Sequence, residues 1–322
     1  MRKSCLFIPA ILSLAFSCGK ASPETPAPDP GPDAPAVEPQ PSGRSAQVTV
    51  ATYNIRCLKS EDTGYKAWSW RKGNVCALVE DEAFGVVGFQ EVSEGMVKDL
   101  TDGLPAYDFH LVGREDGVSK GESVGIVWRK DAFRAVSKGR FFLSATPDVV
   151  SSPYPGWTSS DPGRNRVVAW AVLTHLESGV SFLALSTHLE VGKTDEVVIR
   201  QKSAELIAAM LPSLNPSGLP VILVGDMNSK PTETSAAIFR KTFTDTYLAA
   251  EAAGVREGWR GSFNGHNYTP DDYLDTQGLR IDYIYIRGTV SVDRYRVVDT
   301  RYGGYYPSDH CPVMTRLTLQ TQ

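Results

Sequence analysis

Between residues 47 and 322 the chain is dominated by short apolar runs, many with a two-residue alternation, and that period suits a β-strand whose two faces meet different surroundings. The runs cover residues 48–53, 85–89, 123–128, 167–173, 180–186, 220–224, 280–286 and 313–319, and they are rich in Val, Ile, Phe and Tyr. Helical spacing is scarcer. Residues 195–211 place Ile199, Leu206, Ile207, Met210 and Leu211 near one face, with Pro212 after the predicted end. Residues 68–82 form a second predicted helix, weakened by Gly73, and 235–241 a third. Many strands with a few interspersed helices predict sheets packed on each other with helices outside.

The beginning of the chain has a different character. Met1-Arg2-Lys3 is a short positive start, followed by an apolar run from Cys5 to Phe16 that is too short to span a bilayer comfortably. Leu14-Ala15-Phe16-Ser17-Cys18 resembles a bacterial lipobox, which makes Cys18 the expected lipidation site. Residues 21–42 then hold eight prolines, a composition that favours an extended polyproline spacer and cannot bury a core. The expected organisation is therefore a signal peptide over 1–18, a Pro-rich linker over 19–46 and one folded domain over 47–322. Gly19 after the cysteine resembles lipoproteins sorted to an outer membrane, so the domain is expected in the periplasm or at the cell surface. The anchor is its only expected membrane contact, and a monomer is expected.

In an exported domain disulfides are permitted. Cys57 and Cys76 are a possible pair, and Cys311 reads as a small core residue. No Cys/His spacing suits a structural zinc. The net charge is −4 for the whole chain and −6 without its first 18 residues. Such a domain has no global pull on nucleic acid, which weighs against a nuclease without removing a local basic groove.

Five predicted strand ends carry chemically competent groups. They are Thr52-Tyr53-Asn54-Ile55-Arg56, Gly88-Phe89-Gln90-Glu91, Ser186-Thr187-His188-Leu189-Glu190, Gly225-Asp226-Met227-Asn228, and Ser308-Asp309-His310 before the last strand. Asp282 sits within a sixth. Each alone has an ordinary reading as a turn, a loop or an edge residue. The polar set drawn from them holds four carboxylates (Glu91, Asp226, Asp282, Asp309), two histidines (His188, His310) and two asparagines (Asn54, Asn228), at strand ends where a rigid scaffold meets solvent. Oxygen-rich sets of this kind suit Mg²⁺ or Mn²⁺, and magnesium uses only one or two protein carboxylates, leaving the others to orient histidines and water. Phosphate ester cleavage is the reaction that most needs such a set, because its barrier is largely electrostatic.

This series of motifs, with Thr187-His188-Leu189 and Ile281-Asp282-Tyr283-Ile284, resembles that of the endonuclease/exonuclease/phosphatase family over about residues 48–319. Trp70-Arg71-Lys72, Gly113-Arg114-Glu115-Asp116-Gly117, Phe142-Leu143-Ser144 and Tyr305-Tyr306-Pro307 resemble a bacterial branch of metal-dependent hydrolases within it. The resemblance implies a four-layer α/β/β/α sandwich of the DNase I-like kind with the active site at one edge. It implies Glu91 as the main metal ligand with Asn54 beside it, and Asp309 supporting metal or histidine. It also implies that His310, paired with Asp282, contacts the scissile phosphate. Asp226 either activates water or protonates the leaving group, Asn228 holds a water or phosphate oxygen, and His188 binds a phosphate oxygen. Arg166 either adds charge to the phosphate pocket or is a surface arginine at a strand start.

Relatives of this family act on DNA, RNA, inositol phosphates, sphingomyelin and small phosphodiesters, and fold does not choose among them. The loops are aromatic: Trp68, Trp70, Tyr154, Trp157, Tyr268, Tyr273, Tyr302, Tyr305 and Tyr306. Aromatic faces stack on bases or pack on sugars. No loop gathers Lys and Arg, and no long apolar insertion suits a membrane-dipping hairpin. The expected substrate is a small or sugar-linked phosphoester. A secreted nuclease is the alternative, and a non-catalytic binding lipoprotein a remoter one.

Overall fold

A computed structural model describes residues 42–154, 156–159 and 163–321. The expected signal peptide, Cys18 and most of the proline-rich linker lie outside the described residues.

Two sheets face each other. The first has the order β10 (Arg256–Glu257), β12 (Val290–Val297), β13 (Val313–Gln320), β1 (Ser45–Asn54), β2 (Val86–Val92), β4 (Ser123–Arg129), β3 (Tyr107–Gly113). The second runs β5 (Phe133–Phe142), β6 (Val167–His175), β7 (Ser181–His188), β8 (Val221–Asp226), β11 (Asp282–Arg287), β9 (Thr244–Asp245). Alternation sorts the strand residues between layers. Val48, Val50, Val86, Phe182, Ala184, Ile222, Val224, Ile284 and Ile286 share the cluster between the sheets. Their chain neighbours face outward. Ala51, Tyr53, Val87 and Phe89 pack with α1 (Trp68–Asp81) and α2 (Glu94–Gly103). Leu183, Leu185, Val221, Leu223, Tyr283 and Tyr285 pack with α3 (Asp195–Leu214) and α4 (Thr234–Thr242). The result is the expected four-layer α/β/β/α sandwich.

All eight predicted strands and three predicted helices are present, with shifted ends. β1 begins at Ser45, paired with Gln320, so the first strand takes two residues expected in the linker. Pro212 lies inside α3 and not beyond it. The helix continues to Leu214 because Leu214 is buried in the same apolar cluster, and that burial outweighs the one backbone bond that proline cannot make. Five strands are not predicted: β3, β5, β9 and β10 at sheet edges, and β12 between β10 and β13. β5 carries Arg134, Lys138 and Arg140 in a mostly half-buried pattern, which hides an apolar period. Cys57, Cys76 and Cys311 are all free, so the possible 57–76 disulfide is not formed, whereas Cys311 is buried in the core as read.

The sheets are in close contact at Gly88 of β2. A Cβ there would lie 2.1 Å from Val224 Cγ2 and 3.0 Å from Ser186 Oγ. Gly88→Ala is expected to cost about 1–3 kcal/mol of stability through overpacking. It would appear as a lower urea midpoint at unchanged slope; an unchanged midpoint would show that the sheets are not in close contact there.

Candidate active site

The row of residues facing between the sheets changes character toward one end. Beyond the apolar layer lie Thr52, Gln90 and Ser186, joined by Thr52 Oγ1 to Gln90 Oε1 (3.3 Å) and Gln90 Nε2 to Ser186 Oγ (3.3 Å). The next positions are Asn54, His188, Asp226 and Asp282, all nearly fully buried. Register places them together. His188 and Asp282 are the residues paired with Asp226 on its two neighbouring strands. Asn54 reaches across from the first sheet and donates its amide to Glu91 Oε1 (3.1 Å) and Asp226 Oδ2 (3.0 Å).

His310 enters from the segment before β13. Its Nδ1 lies 2.8 Å from Asp282 Oδ2, which also accepts a 2.6 Å bond from the Ser262 hydroxyl, and its Nε2 lies 3.8 Å from Asp226 Oδ2. The ring sits against Phe263 with centroids 4.9 Å apart. Burial disfavours the imidazolium, but the charge and hydrogen bond of Asp282, with Asp226 and Asp309 behind, raise His310 to about 10. Burial and the charge of Asp282 push Asp226 up to about 7, against His310 and the hydrogen bonds from the Asn228 amide and Asn54. His188 is driven well below its usual range by burial and the nearby Arg166, so it is neutral. Asn228 Nδ2 donates to Leu189 O (3.0 Å) and lies 2.9 Å from His188 Nε2.

Three non-glycine residues here adopt left-handed backbone: Arg56 (φ 56°), Glu91 (φ 61°) and Asn228 (φ 44°). Each costs energy that the surroundings must repay. At Glu91 the kink coincides with a shift of β2 register between Phe89 and Val92, which releases this side chain from strict alternation. The Arg56 guanidinium forks onto Asp62 (2.8 Å twice) and meets Asp309 Oδ2 at 2.6 Å. Arg71, wholly buried, donates to the carbonyls of Ile55, Arg56 (3.0 Å), Lys66 (2.7 Å) and Pro307 (3.4 Å). It therefore ties the loop after β1 to the segment carrying His310.

The structure brings Asn54, Glu91, His188, Asp226, Asn228, Asp282, Asp309 and His310 to one end of the sandwich. Two residues make contacts beyond those their expected roles name. Asn54 presents its NH₂ to Glu91 and Asp226, while its oxygen accepts from the Arg56 amide (3.0 Å), so it acts as a bridge between carboxylates. Asp309 is neutralised by Arg56, and among the described residues it belongs to neither group placed to hold a metal ion. Those groups are Cys57, Glu91 and Glu122, and Asp226, Asp282 and His310. Arg166 is not a surface arginine: it is buried and forks onto the buried Glu190 (3.1 Å twice). Ser262, Glu122 and the role of Arg56 escaped sequence reading. Ser262 lies in a segment without period, and only the tertiary fold sets its hydroxyl against Asp282.

The aromatic loops divide. Tyr65 stacks on Tyr305 (centroids 4.0 Å, 8° apart) and meets Tyr268 edge-on, while Trp70 meets Tyr305 and Tyr306 stacks on Tyr268. Trp68 instead bonds Asp99 (2.9 Å), and Trp157 packs against the α3 cluster.

A model of the endonuclease/exonuclease/phosphatase family matches residues 51–310, and the chain belongs to this family. Among solved structures, it is similar to a family member from Bacteroides thetaiotaomicron, at 31% identity over 86% of this chain and 99% of that one, with a TM-score of 0.76. A family member from Bacteroides vulgatus shows 27% identity over 85% and 100%, TM-score 0.75. A mannosyl-6-phosphatase from Bacteroides thetaiotaomicron shows 32% identity over 84% and 99%, TM-score 0.73. No match was found among curated proteins. Members of the family hydrolyse phosphoesters and generally use divalent metals.

The donors here fit such an ion. Burial and the charge of Asp309 oppose charge on Glu91, but the hydrogen bonds from the Cys57 amide (2.9 Å) and Asn54 favour its ionised form and hold its pKa below the usual carboxylate range. Burial pushes the Cys57 thiol up to about 12, so carboxylate oxygens are the ready ligands, as a hard cation requires.

The raised pKa of Asp226 has a consequence for stability. A carboxyl whose folded pKa lies above its unfolded value stabilises the fold at low pH, and this contribution is lost as pH rises through about 7. In metal-free protein, the Tm advantage of Asp226→Asn over wild type is therefore expected to grow between pH 5 and pH 8. An equal difference at both values would remove Asp226 as the titrating group.

Proposed function

We propose that this chain is a divalent-metal-dependent phosphoesterase acting on a small or sugar-linked substrate outside the cytoplasm, tethered through Cys18. The observation that carries the reading is the buried Asp282–His310 pair aimed at Asp226, with the ionised Glu91 across the bridging Asn54. A Mg²⁺ or Mn²⁺ ion held at Glu91 would neutralise phosphate charge and acidify water. The other groups act directly. His310, kept protonated by Asp282, faces a phosphate oxygen with Nε2 as donor. Asp226, poised near neutrality, takes or returns a proton at Oδ2. Neutral His188, bonded to Asn228 and 3.4 Å from Asp226 Oδ2, is placed to contact a phosphate oxygen.

Support for the substrate class comes from the mannosyl-6-phosphatase similarity and from the aromatic group around Tyr65. That group flanks the site on the Asp309 side, since Tyr65 follows Asp62 and Tyr306 precedes Ser308. Ring faces there suit a sugar better than a long polyanion.

A panel of phosphomonoester, phosphodiester, sugar phosphate, plasmid DNA and RNA, with Mg²⁺ or Mn²⁺, tests the reading. Cleavage of small substrates abolished by EDTA is expected; cleavage of DNA or RNA that falls steeply with salt would identify a nuclease instead. Asp226→Ala and His310→Ala are each expected to lower kcat by about 10²–10⁴-fold with unchanged circular dichroism. Wild-type turnover in either would refute the assignment. Glu91→Gln should raise the metal concentration for half-maximal activity by at least about tenfold; an unchanged titration would take Glu91 out of the metal site.

A further inference from the structure

We propose that His266 is a specificity-determining residue that hydrogen-bonds a hydroxyl on the organic group of the substrate. The inference rests on the phosphoesterase reading above and adds a residue that reads the leaving group.

The segment from Ser262 to Tyr268 runs beside the one that carries His310. Ser262 O accepts from the Cys311 amide (2.7 Å), and Asp309 O accepts from the amides of Asn264 (2.8 Å) and Gly265 (3.0 Å). The start of this segment serves the site directly: Ser262 bonds Asp282, and Phe263 packs on His310. His266 follows, with its own amide donating to Asn264 Oδ1 (2.7 Å). The residue is 9% exposed, yet neither ring nitrogen has a hydrogen-bond partner among the described residues. His110, His175, His188 and His310 each find at least one. Burying two such nitrogens without partners is unfavourable, so they point to a ligand.

The surroundings select that ligand. Burial lowers His266 to about 4, with Arg56, Lys66 and Arg71 adding to the effect and Asp309 opposing it. A neutral ring has one N–H to donate and one bare nitrogen to accept. The charges of Arg56, Asp62 and Asp309 are already paired with one another. The position therefore offers hydrogen bonds and not charge. A second phosphate could use only the N–H, and an ammonium only the bare nitrogen. Hydroxyl groups both donate and accept, and they match the ring at either nitrogen.

Both nitrogens are shielded from solvent, so a substrate reaches them when the aromatic wall moves. Tyr65 meets the His266 ring edge-on (centroids 5.9 Å) and stacks on Tyr305. Tyr65 follows Gly64, and Tyr305 follows Gly303 and Gly304; all three glycines are left-handed. Tyr305 is 40% exposed. Both rings thus sit on permissive backbone at the surface side of His266. Once parted, the same ring faces pack on the apolar face of a sugar and leave its hydroxyls to the imidazole.

The test pairs glucose 6-phosphate with cyclohexylmethyl phosphate, a similar ring without hydroxyls, on the intact chain in Mg²⁺. Wild type is expected to favour the sugar in kcat/KM, since a site built to bond a hydroxyl rejects the analogue lacking it. His266→Phe keeps a flat ring and removes both nitrogens. It is expected to cut that preference by about 10–100-fold, mainly through KM. His266→Gln keeps a donor and an acceptor and is expected to restore part of the preference. The histidine Cε1–Hε1 NMR signal that is missing in His266→Gln is expected to shift in wild type with the sugar phosphate and not with the cyclohexyl ester. No sugar preference in wild type, an equal loss on both esters in folded variants, or an unmoved signal would overturn the proposal. Should the variants fail to fold by circular dichroism, the wild-type preference and a histidine signal assigned through the backbone carry the test. If wild type cleaves neither ester, the phosphoesterase reading fails, and the signal alone then decides whether His266 reads hydroxyls.

Discussion

The structure depends on one constraint: two sheets face each other so closely that every inward position must be apolar, small or paired. Gly88 opposite Val224 marks how little space is left. Along most of the interface the row is aliphatic and aromatic. At one end it becomes Thr52, Gln90 and Ser186, and then Asn54, His188, Asp226 and Asp282. Charges in that position have lost water and must find partners within the protein. The catalytic geometry follows from this requirement. Asn54 separates two carboxylates by donating to both, and Asp282 finds His310 and Ser262.

The same burial sets the proton affinities. In water Asp226 would be ionised and His310 would be half-neutral near pH 6.5. Between the sheets, Asp226 competes with Asp282 for positive charge, and His310 is surrounded by carboxylates. Asp226 moves toward the neutral range that proton transfer needs, and His310 moves above it and stays a charged hydrogen-bond donor. Holding these groups costs backbone strain at Arg56, Glu91 and Asn228, and two arginines brace the loops around them. Arg56 clamps Asp62 to Asp309, and Arg71 gathers carbonyls from both loops that frame the site.

Much of this was legible in the sequence because the strands have two unlike faces. Alternation at 48–53, 220–224 and 313–319 located strands, and polar residues at their ends located the candidate site. Edge strands were less legible: β3 and β5 bury too few residues to show a period. Pro212 misled because local chemistry argues for a helix end, while the burial of Leu214 lies outside any local window. The aromatic loops were visible as composition only. That Tyr65, Trp70, Tyr268, Tyr305 and Tyr306 meet, while Trp68 and Trp157 go elsewhere, depends on how three loops pack.

The sequence by itself determined the family, the sandwich of two sheets and the residues gathered at its end, because side-chain period and motif order are local properties. Tertiary structure alone decided what each residue touches there. Asn54 is a bridge and Asp309 an arginine partner, and Arg166 is buried against Glu190. These roles arise from contacts between residues as far as 253 positions apart, as for Arg56 and Asp309. The physical reason is that hydrogen bonding and desolvation act over a few ångströms in space, and proximity in space is what a linear pattern does not carry.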